Sequence, residues 1–229
     1  MKKIVVLTGA GISAESGIQT FRDANGLWEG YNIMEVASPI GWERNKKLVL
    51  DFYNKRRAQL LNVKPNEGHK ALVLLEKKYN VIIITQNVDD LHERAGSSTV
   101  LHLHGELLKV RSTKDESLIY EWKKGLKIGD VCEEGNQLRP HIVWFGEMVP
   151  MLDKAIEITA EADILIIIGT SMQVYPAANL INYTKATIPI YFIDPKPTIE
   201  HNSFSNLKIV AEKASIGVIK VVNELIGLQ

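Results

Sequence analysis

A chain of 229 residues is long enough to bury one large core, or one core with a small satellite. Lys plus Arg and Asp plus Glu both number 27, so no bulk charge points to nucleic acid or to an acidic membrane surface. The single cysteine, Cys132, excludes an intrachain disulfide framework and any all-cysteine metal site, and it fits a reducing compartment.

In chain order, Ile4-Val5-Val6-Leu7-Thr8-Gly9-Ala10-Gly11 reads as a buried strand stopping at a glycine turn, with a helix N-terminus expected to follow. Only Ile4 to Leu7 are apolar behind Met1-Lys2-Lys3, too few for a secretory leader, so the expected location is cytoplasmic. No apolar run approaches the ~20 residues of a membrane span. Gln19 to Trp28 is a loop carrying Phe21, Arg22 and Asp23. Lys46 to Leu61 has strong helix formers and no Gly or Pro. Lys64 to Gly68 breaks it, and His69 to Lys78 resumes helical spacing.

Val81 to Thr85 is a second buried strand, ending at Gln86-Asn87-Val88-Asp89-Asp90. Val100 to Gly105 alternates with period two, which places His102 and His104 on one face. Glu106 to Gln137 is charged and poor in apolar runs, an excursion outside the main core, and Arg139 to Glu147 returns as a short strand entering a loop. A helix over Leu152 to Glu161 precedes the most apolar strand, which runs to Ile168 and meets Gly169-Thr170-Ser171. A helix over Ala177 to Lys185, a strand from Ile188 to Ile193 ending at Asp194, and a helix over Ser215 to Leu228 complete the chain. This alternation predicts an α/β fold with a doubly wound parallel sheet, whose ligand site lies at the strand C-termini.

Gly9, Ala10 and Gly11 suit a dinucleotide pyrophosphate, received by free N–H groups and a positive helix end. An ordinary dehydrogenase is disfavoured, because no acid-tipped second strand follows within ~20 residues. The run Gly-Ala-Gly-Ile-Ser-Ala-Glu-Ser-Gly-Ile, continued by Phe-Arg and Gly-Leu-Trp, resembles the sirtuin family of NAD-dependent protein deacylases. Four later segments match that family in its order: Thr-Gln-Asn-Val-Asp at 85–89 with Leu-His and Ala-Gly beyond it, His-Gly at 104–105, Arg-Pro-x-Ile-Val-x-Phe-Gly-Glu at 139–147, and Gly-Thr-Ser-x-x-Val-x-Pro-Ala at 169–177.

The resemblance implies a Rossmann-like large part over about 1–28, 64–105 and 139–229. A small, discontinuous part would come from insertions over about 29–63 and 106–138. It implies that NAD is consumed as a co-substrate: the acyl-lysine carbonyl oxygen displaces nicotinamide, His104 activates a ribose hydroxyl as general base, and the products are free lysine, nicotinamide and O-acyl-ADP-ribose. An imidazole suits that task because its ordinary pKa of ~6.5 is near working pH. Asn87 and Asp89 would hold the nicotinamide carboxamide and its ribose, although the same residues are also helix-cap chemistry.

Phe21 and Arg22 would cover the reacting ribose, and Gln86, Val88, Gly169, Thr170, Ser171 and Ala214 would complete the cofactor contacts. Asp194 stands where the family usually has Asn. A carboxylate there would accept from adenine-ribose hydroxyls and disfavour a 2′-phosphate. An acyl-lysine peptide would add as a strand against Val143, Phe145 and Gly146, opposite residues 172–176.

Two features depart from the usual pattern. Sirtuins commonly carry two Cys-x-x-Cys pairs that hold a structural zinc, whereas 106–138 contains only Cys132. No zinc is expected, and Leu118, Ile119, Trp122, Leu126 and Ile128 are the expected apolar support of the small part. Tyr53 and Arg56, three apart on the predicted helix, resemble the subgroup that removes succinyl and malonyl groups. A guanidinium fork binds a carboxylate that acetyl lacks. The competing reading of Arg56 is a solvated basic face with Lys55 and Arg57. Readings with the same cofactor but another outcome are an ADP-ribosyltransferase and a non-catalytic NAD or ADP-ribose sensor. Protein targets and oligomeric state are not encoded legibly.

Overall fold

The computed structural model describes residues 1–19, 27, 28, 30–200 and 203–227. Phe21 and Arg22 lie outside the described residues. The elements run β1 (Lys3–Thr8), β2 (Leu27–Trp28), β3 (Tyr31–Asn32), α1 (Ile33–Val36), α2 (Pro39–Arg44), α3 (Lys46–Asn62), α4 (Glu67–Leu75), β4 (Asn80–Thr85), α5 (Leu91–Ala95) and β5 (Val100–His102). They continue with β6 (Gly105–Ser112), β7 (Ile119–Glu121), β8 (Leu138–Ile142), α6 (Leu152–Ala160), β9 (Ile164–Ile168), β10 (Ile190–Ile193), β11 (Leu207–Val210) and α7 (Ala214–Ile226).

Six strands form one parallel sheet in the order β11-β10-β9-β1-β4-β5. Numbered by their own sequence this is 3-2-1-4-5-6, the doubly wound order, which reverses direction between β1 and β9. The strands read as continuous apolar runs because both faces are covered: every residue of β9 and β10 is buried. One core lies between the sheet and α4 and α7, built on Ile4, Val6, Leu72, Ile166 and Val218. A second covers the opposite face through Val5, Leu7, Leu165, Ile167 and Phe192. The alternation of Ile4 and Val6 with Val5 and Leu7 is the strand period of two in a sheet buried twice over.

The small part has its own antiparallel sheet, β7-β6-β8, packed with α1 to α3 around a third core. Two expectations change here. The alternating run at 100–105 divides, because Gly105, at φ +80°, turns the chain from the large sheet into the small one. Residues 139–142 belong to β8 and pair with β6, so the return to the large part comes later than residue 139. Of the apolar residues expected to support the small part, Leu126 is buried and Leu118 and Trp122 are packed against its core. Ile119 and Ile128 are exposed, since β7 is an edge strand and Ile128 sits in a turn.

Polar side chains close the long connection between β7 and β8. The Gln137 amide donates to Lys127 O at 3.1 Å and Asp130 O at 3.0 Å, and accepts from Gly129 N at 2.8 Å. Asn54 on α3 pairs with Leu126 as a second backbone would, donating to its O at 2.9 Å and accepting from its N at 2.8 Å.

Two further expectations are corrected. The glycine turn is followed by two 3₁₀ turns, Ala10–Ile12 and Ala14–Ser16, not by an α-helix, so the dipole available there is short. The segment Ala177–Tyr183 is also 3₁₀. Strand β11 was not legible, because Leu207-Lys208-Ile209-Val210 is short and only partly buried.

Beneath the sheet's C-terminal edge, α4 and α5 bring two buried imidazoles together: the His69 and His92 rings lie 4.9 Å apart, edge to face. His92 Nε2 donates to Thr8 Oγ1 at 3.0 Å, and Thr8 in turn donates to Thr85 Oγ1 at 2.8 Å. Burial pushes His69 down from 6.5 to about 4 and His92 well below its ordinary value. Both are therefore neutral in the folded protein at neutral pH. For His69 the unfolded chain binds its proton first, so the stabilisation is complete above pH 6.5 and is lost as pH falls towards 4. The total is about 3 kcal/mol. Urea unfolding of the wild type and His69→Leu across that interval should show a steeper acid loss in the wild type, and parallel curves would contradict this.

Candidate active site

At the reversal of strand order, the loops after β1 and β9 interlock. Gly11 N donates to Gly169 O at 2.8 Å, and a Cβ on Gly11 would stand 2.6 Å from Gly169 Cα. The reciprocal Cβ on Gly169, whose φ is +61°, would stand 2.4 Å from Ile12 N. Glycine is demanded here first by backbone meeting backbone, and Gly9 is bounded by Gly169 and Thr170 in the same way. The loops open into a cleft of about 730 Å³, within the usual range for small-molecule sites.

Gly9, Ala10, Gly11, Gly169, Thr170 and Ser171 line one end of this cleft, joined by Gln86, Val88, Asp194 and Ala214. Gln86 Nε2 donates to Thr170 Oγ1 at 3.2 Å, which ties the β4 and β9 loops together. Asp194 is 2 % exposed at the tip of β10 and accepts from Lys196 N at 2.8 Å. Ala214 opens α7, and Glu15 fixes that end by accepting from Ser215 N at 3.0 Å and Ser215 Oγ at 2.8 Å.

The centre of the cleft is a polar cluster on β4 and its loop. Ser13 Oγ donates to Asp89 Oδ2 at 3.0 Å and accepts from Asn87 Nδ2 at 3.2 Å. Asp89 also accepts from Leu91 N at 3.2 Å, so the capping and site readings of this residue hold together. Burial pushes its carboxyl up to about 6. His104 Nδ1 lies 2.9 Å from Gln86 O. A carbonyl only accepts, so Nδ1 carries the proton and Nε2 keeps its lone pair. Burial holds His104 below its ordinary value, which leaves it neutral and basic at working pH. His102 is held apart from this work: it bonds Asn87 O at 3.1 Å and Glu93 at 2.7 Å and does not line the cleft.

At the far end stands α3. Its buried face, Val49, Phe52, Tyr53, Arg56, Arg57 and Leu60, follows the helical period and includes two arginines. Arg56 is 8 % exposed with its guanidinium 4.0 Å from the centre of the Phe52 ring and 4.5 Å from that of Trp28. The solvated-face reading of Arg56 is thereby excluded, although Lys55 is exposed. Arg57 faces elsewhere, donating to Leu107 O and Asn54 Oδ1. Tyr53 is fully buried, and its hydroxyl accepts from Trp144 Nε1 at 3.0 Å. Val143, Phe145 and Gly146 line the cleft on a loop pinned by Val143 N to His104 O at 3.0 Å and Phe145 N to Ala37 O at 2.9 Å.

Every described residue assigned to the site from sequence thus lines one cleft. Sequence reading gave no role to Ser13, Trp28 or Trp144. The hydroxyl sits in a run explained by its glycines, and the indoles reach the site only because they pack with α3 in one core.

A dinucleotide fits this set: glycine loops leave backbone at one end, buried Asp194 offers acceptors beside them, and the amide, carboxylate and imidazole converge at the centre. Comparison with known proteins agrees. The chain is 62% identical over 214 residues to an NAD-dependent protein deacylase of Helicobacter pylori, covering 93% of each chain. It superposes on a Sir2 homologue solved with NAD at a TM-score of 0.88 and 40% identity, covering 100% of this chain and 91% of that one. It also superposes on Sir2 bound to an acetylated peptide at a TM-score of 0.79 and 28% identity, covering 99% and 94%. The Sir2 family model matches residues 9–176, and this chain belongs to the Sir2 family.

Proposed function

We propose that this chain is an NAD-dependent protein-lysine deacylase that prefers acidic acyl groups, succinyl and malonyl, over acetyl. The deacylase reading is supported by the glycine-loop cleft, by the relative named for that activity and by the neighbours solved with NAD and with an acetylated peptide. The observation that carries the acyl preference is Arg56, buried against the packed Phe52 and Trp28 rings and lining the cleft together with Tyr53.

Bound NAD would supply an activated ribose carbon with nicotinamide as leaving group. Gly9 to Gly11 and Gly169 to Ser171 would hold the phosphates, Asp194 and Ala214 the adenosine, and Asn87 and Asp89 the nicotinamide end. His104 takes a proton at Nε2, the only ring nitrogen left open by its bond to Gln86 O. Ser13 orients both Asn87 and Asp89, so carboxamide and ribose are addressed by groups fixed relative to each other. The peptide would lie between Val143–Glu147 and Val174–Pro176, its acyl-lysine pointing towards α3. The small part folds without a metal on this reading, its long connection closed by Gln137 and Asn54 and its buried Cys132 set against Ser112.

Three outcomes follow. His104→Ala should lose acyl-peptide-dependent nicotinamide release by ~10²-fold or more while its melting temperature holds. A variant as active as the wild type would remove the assignment. The ratio of kcat/KM on matched succinyl and acetyl peptides should favour succinyl and fall roughly 10- to 100-fold in Arg56→Met, the usual cost of a lost charge-assisted bond. A wild type that prefers acetyl would defeat the acidic-acyl reading. Elemental analysis of purified protein should show far less than one zinc per chain, with melting unchanged by chelator. A stoichiometric metal would refute the metal-free small part.

A further inference from the structure

We propose that Trp144 is a positioning residue that determines acyl specificity by locking the Tyr53 hydroxyl into the donor role. This rests on the acidic-acyl reading of Tyr53 and Arg56.

A phenol oxygen can accept hydrogen bonds as well as donate one, whereas an indole N–H only donates. Trp144 Nε1 stands 3.0 Å from the Tyr53 hydroxyl, and the two side chains are 2 % and 0 % exposed. The indole therefore occupies an accepting position of the oxygen, and the phenolic hydrogen is left for another partner. An acyl carboxylate accepts and never donates, so a tyrosine fixed as donor suits it. A methyl group at the same place takes nothing from that hydrogen. Burial raises the phenol's pKa further above its ordinary value, so the hydrogen is present throughout the working range.

The donor is itself held rigidly. The Arg139 guanidinium lies 3.4 Å from the centre of the Trp144 ring, and Trp42 packs against the indole with centroids 5.7 Å apart. Arg139 grips Glu147 with two bonds, of 2.6 and 3.1 Å, and Glu147 Oε2 accepts from Trp144 N at 2.8 Å. The ring of Tyr53 is fixed in turn by edge contacts with Phe52 and Trp28. The loop that would pair with the peptide backbone through Val143 and Gly146 thus carries the group that aims the acyl reader on α3. Neither segment alone sets the selectivity.

The test is a double-mutant cycle on the succinyl-to-acetyl ratio of kcat/KM, using wild type, Trp144→Phe, Tyr53→Phe and the double variant. The phenylalanine keeps an aromatic ring for Arg139 and removes the N–H together with part of the indole, so the isosteric benzothienylalanine variant is made beside it. Each single variant should lower the ratio about 10-fold, with the loss carried by KM for the succinyl peptide, and the double variant should fall no further than Tyr53→Phe. Benzothienylalanine at position 144, which replaces the N–H by sulfur in the same outline, isolates the loss of the donor from the loss of volume and serves also if Trp144→Phe fails to fold. A ratio unchanged in these N–H-less proteins overturns the inference, as does an equal fall for both peptides or a further 10-fold drop in the double variant. A wild type that prefers acetyl overturns the acidic-acyl reading and this inference with it. A succinyl-preferring wild type whose ratio survives loss of the N–H overturns this inference alone.

Discussion

The backbone-to-backbone contact of the β1 and β9 loops is the constraint on which the rest of the molecule depends. Two central strands of a parallel sheet end side by side at the reversal of strand order, and their connections leave in opposite directions. The loops then touch with no room for a Cβ on either side, at Gly11 and at Gly169. Close contact builds this wall of the cleft from main chain, and it sets Ser13 just beyond the turn, within reach of Asn87 and Asp89. A side chain on either glycine would push the two loops apart.

From that point the site is assembled outwards by polar bonds that each fix one degree of freedom. Gln86 holds the β4 loop to Thr170 with its side chain and sets the His104 tautomer with its carbonyl. Thr8 and Thr85 link the sheet edge to His92 beneath it. These groups are buried or half-buried, so each bond counts for more than in water and each missing partner costs more. Burial also sets protonation: it keeps the His69, His92 and His104 imidazoles neutral and raises the Asp89 carboxyl to about 6, which still leaves it largely ionised at neutral pH.

The small part contributes by a different physics. Its arginines and aromatics are layered, Arg56 on Phe52 and Trp28, and Arg139 on Trp144. A guanidinium tolerates such burial because it is weakly hydrated and its flat faces stack on rings while its edge still donates. That arrangement gives a cationic group, Arg56, a fixed address among the residues that line the cleft. Side-chain amides, Asn54 and Gln137, do the cross-linking in the long β7–β8 connection.

The sequence by itself determined the doubly wound sheet, because apolar β-branched runs alternating with helical spacing admit few other arrangements, and it marked the strand ends where polar residues gather. It also named about half of the residues that line the cleft, because ordered motifs record which residues stand near a site even when no distance is known. Only the tertiary structure decided what those residues touch. The glycines proved to be spacers against another loop, which no local pattern reveals, since the partner lies some 160 residues away. Gly105 passed the chain from one sheet to the other, and residues 139–142 joined the small sheet, because strand pairing is a long-range choice that alternation does not encode. Arg56 and Arg57 are neighbours of the same chemical type, yet one stacks on aromatic rings and lines the cleft while the other lies against Leu107 and Asn54. A helix turns by about 100° per residue, and only the packing of α3 fixes which of those directions is the site.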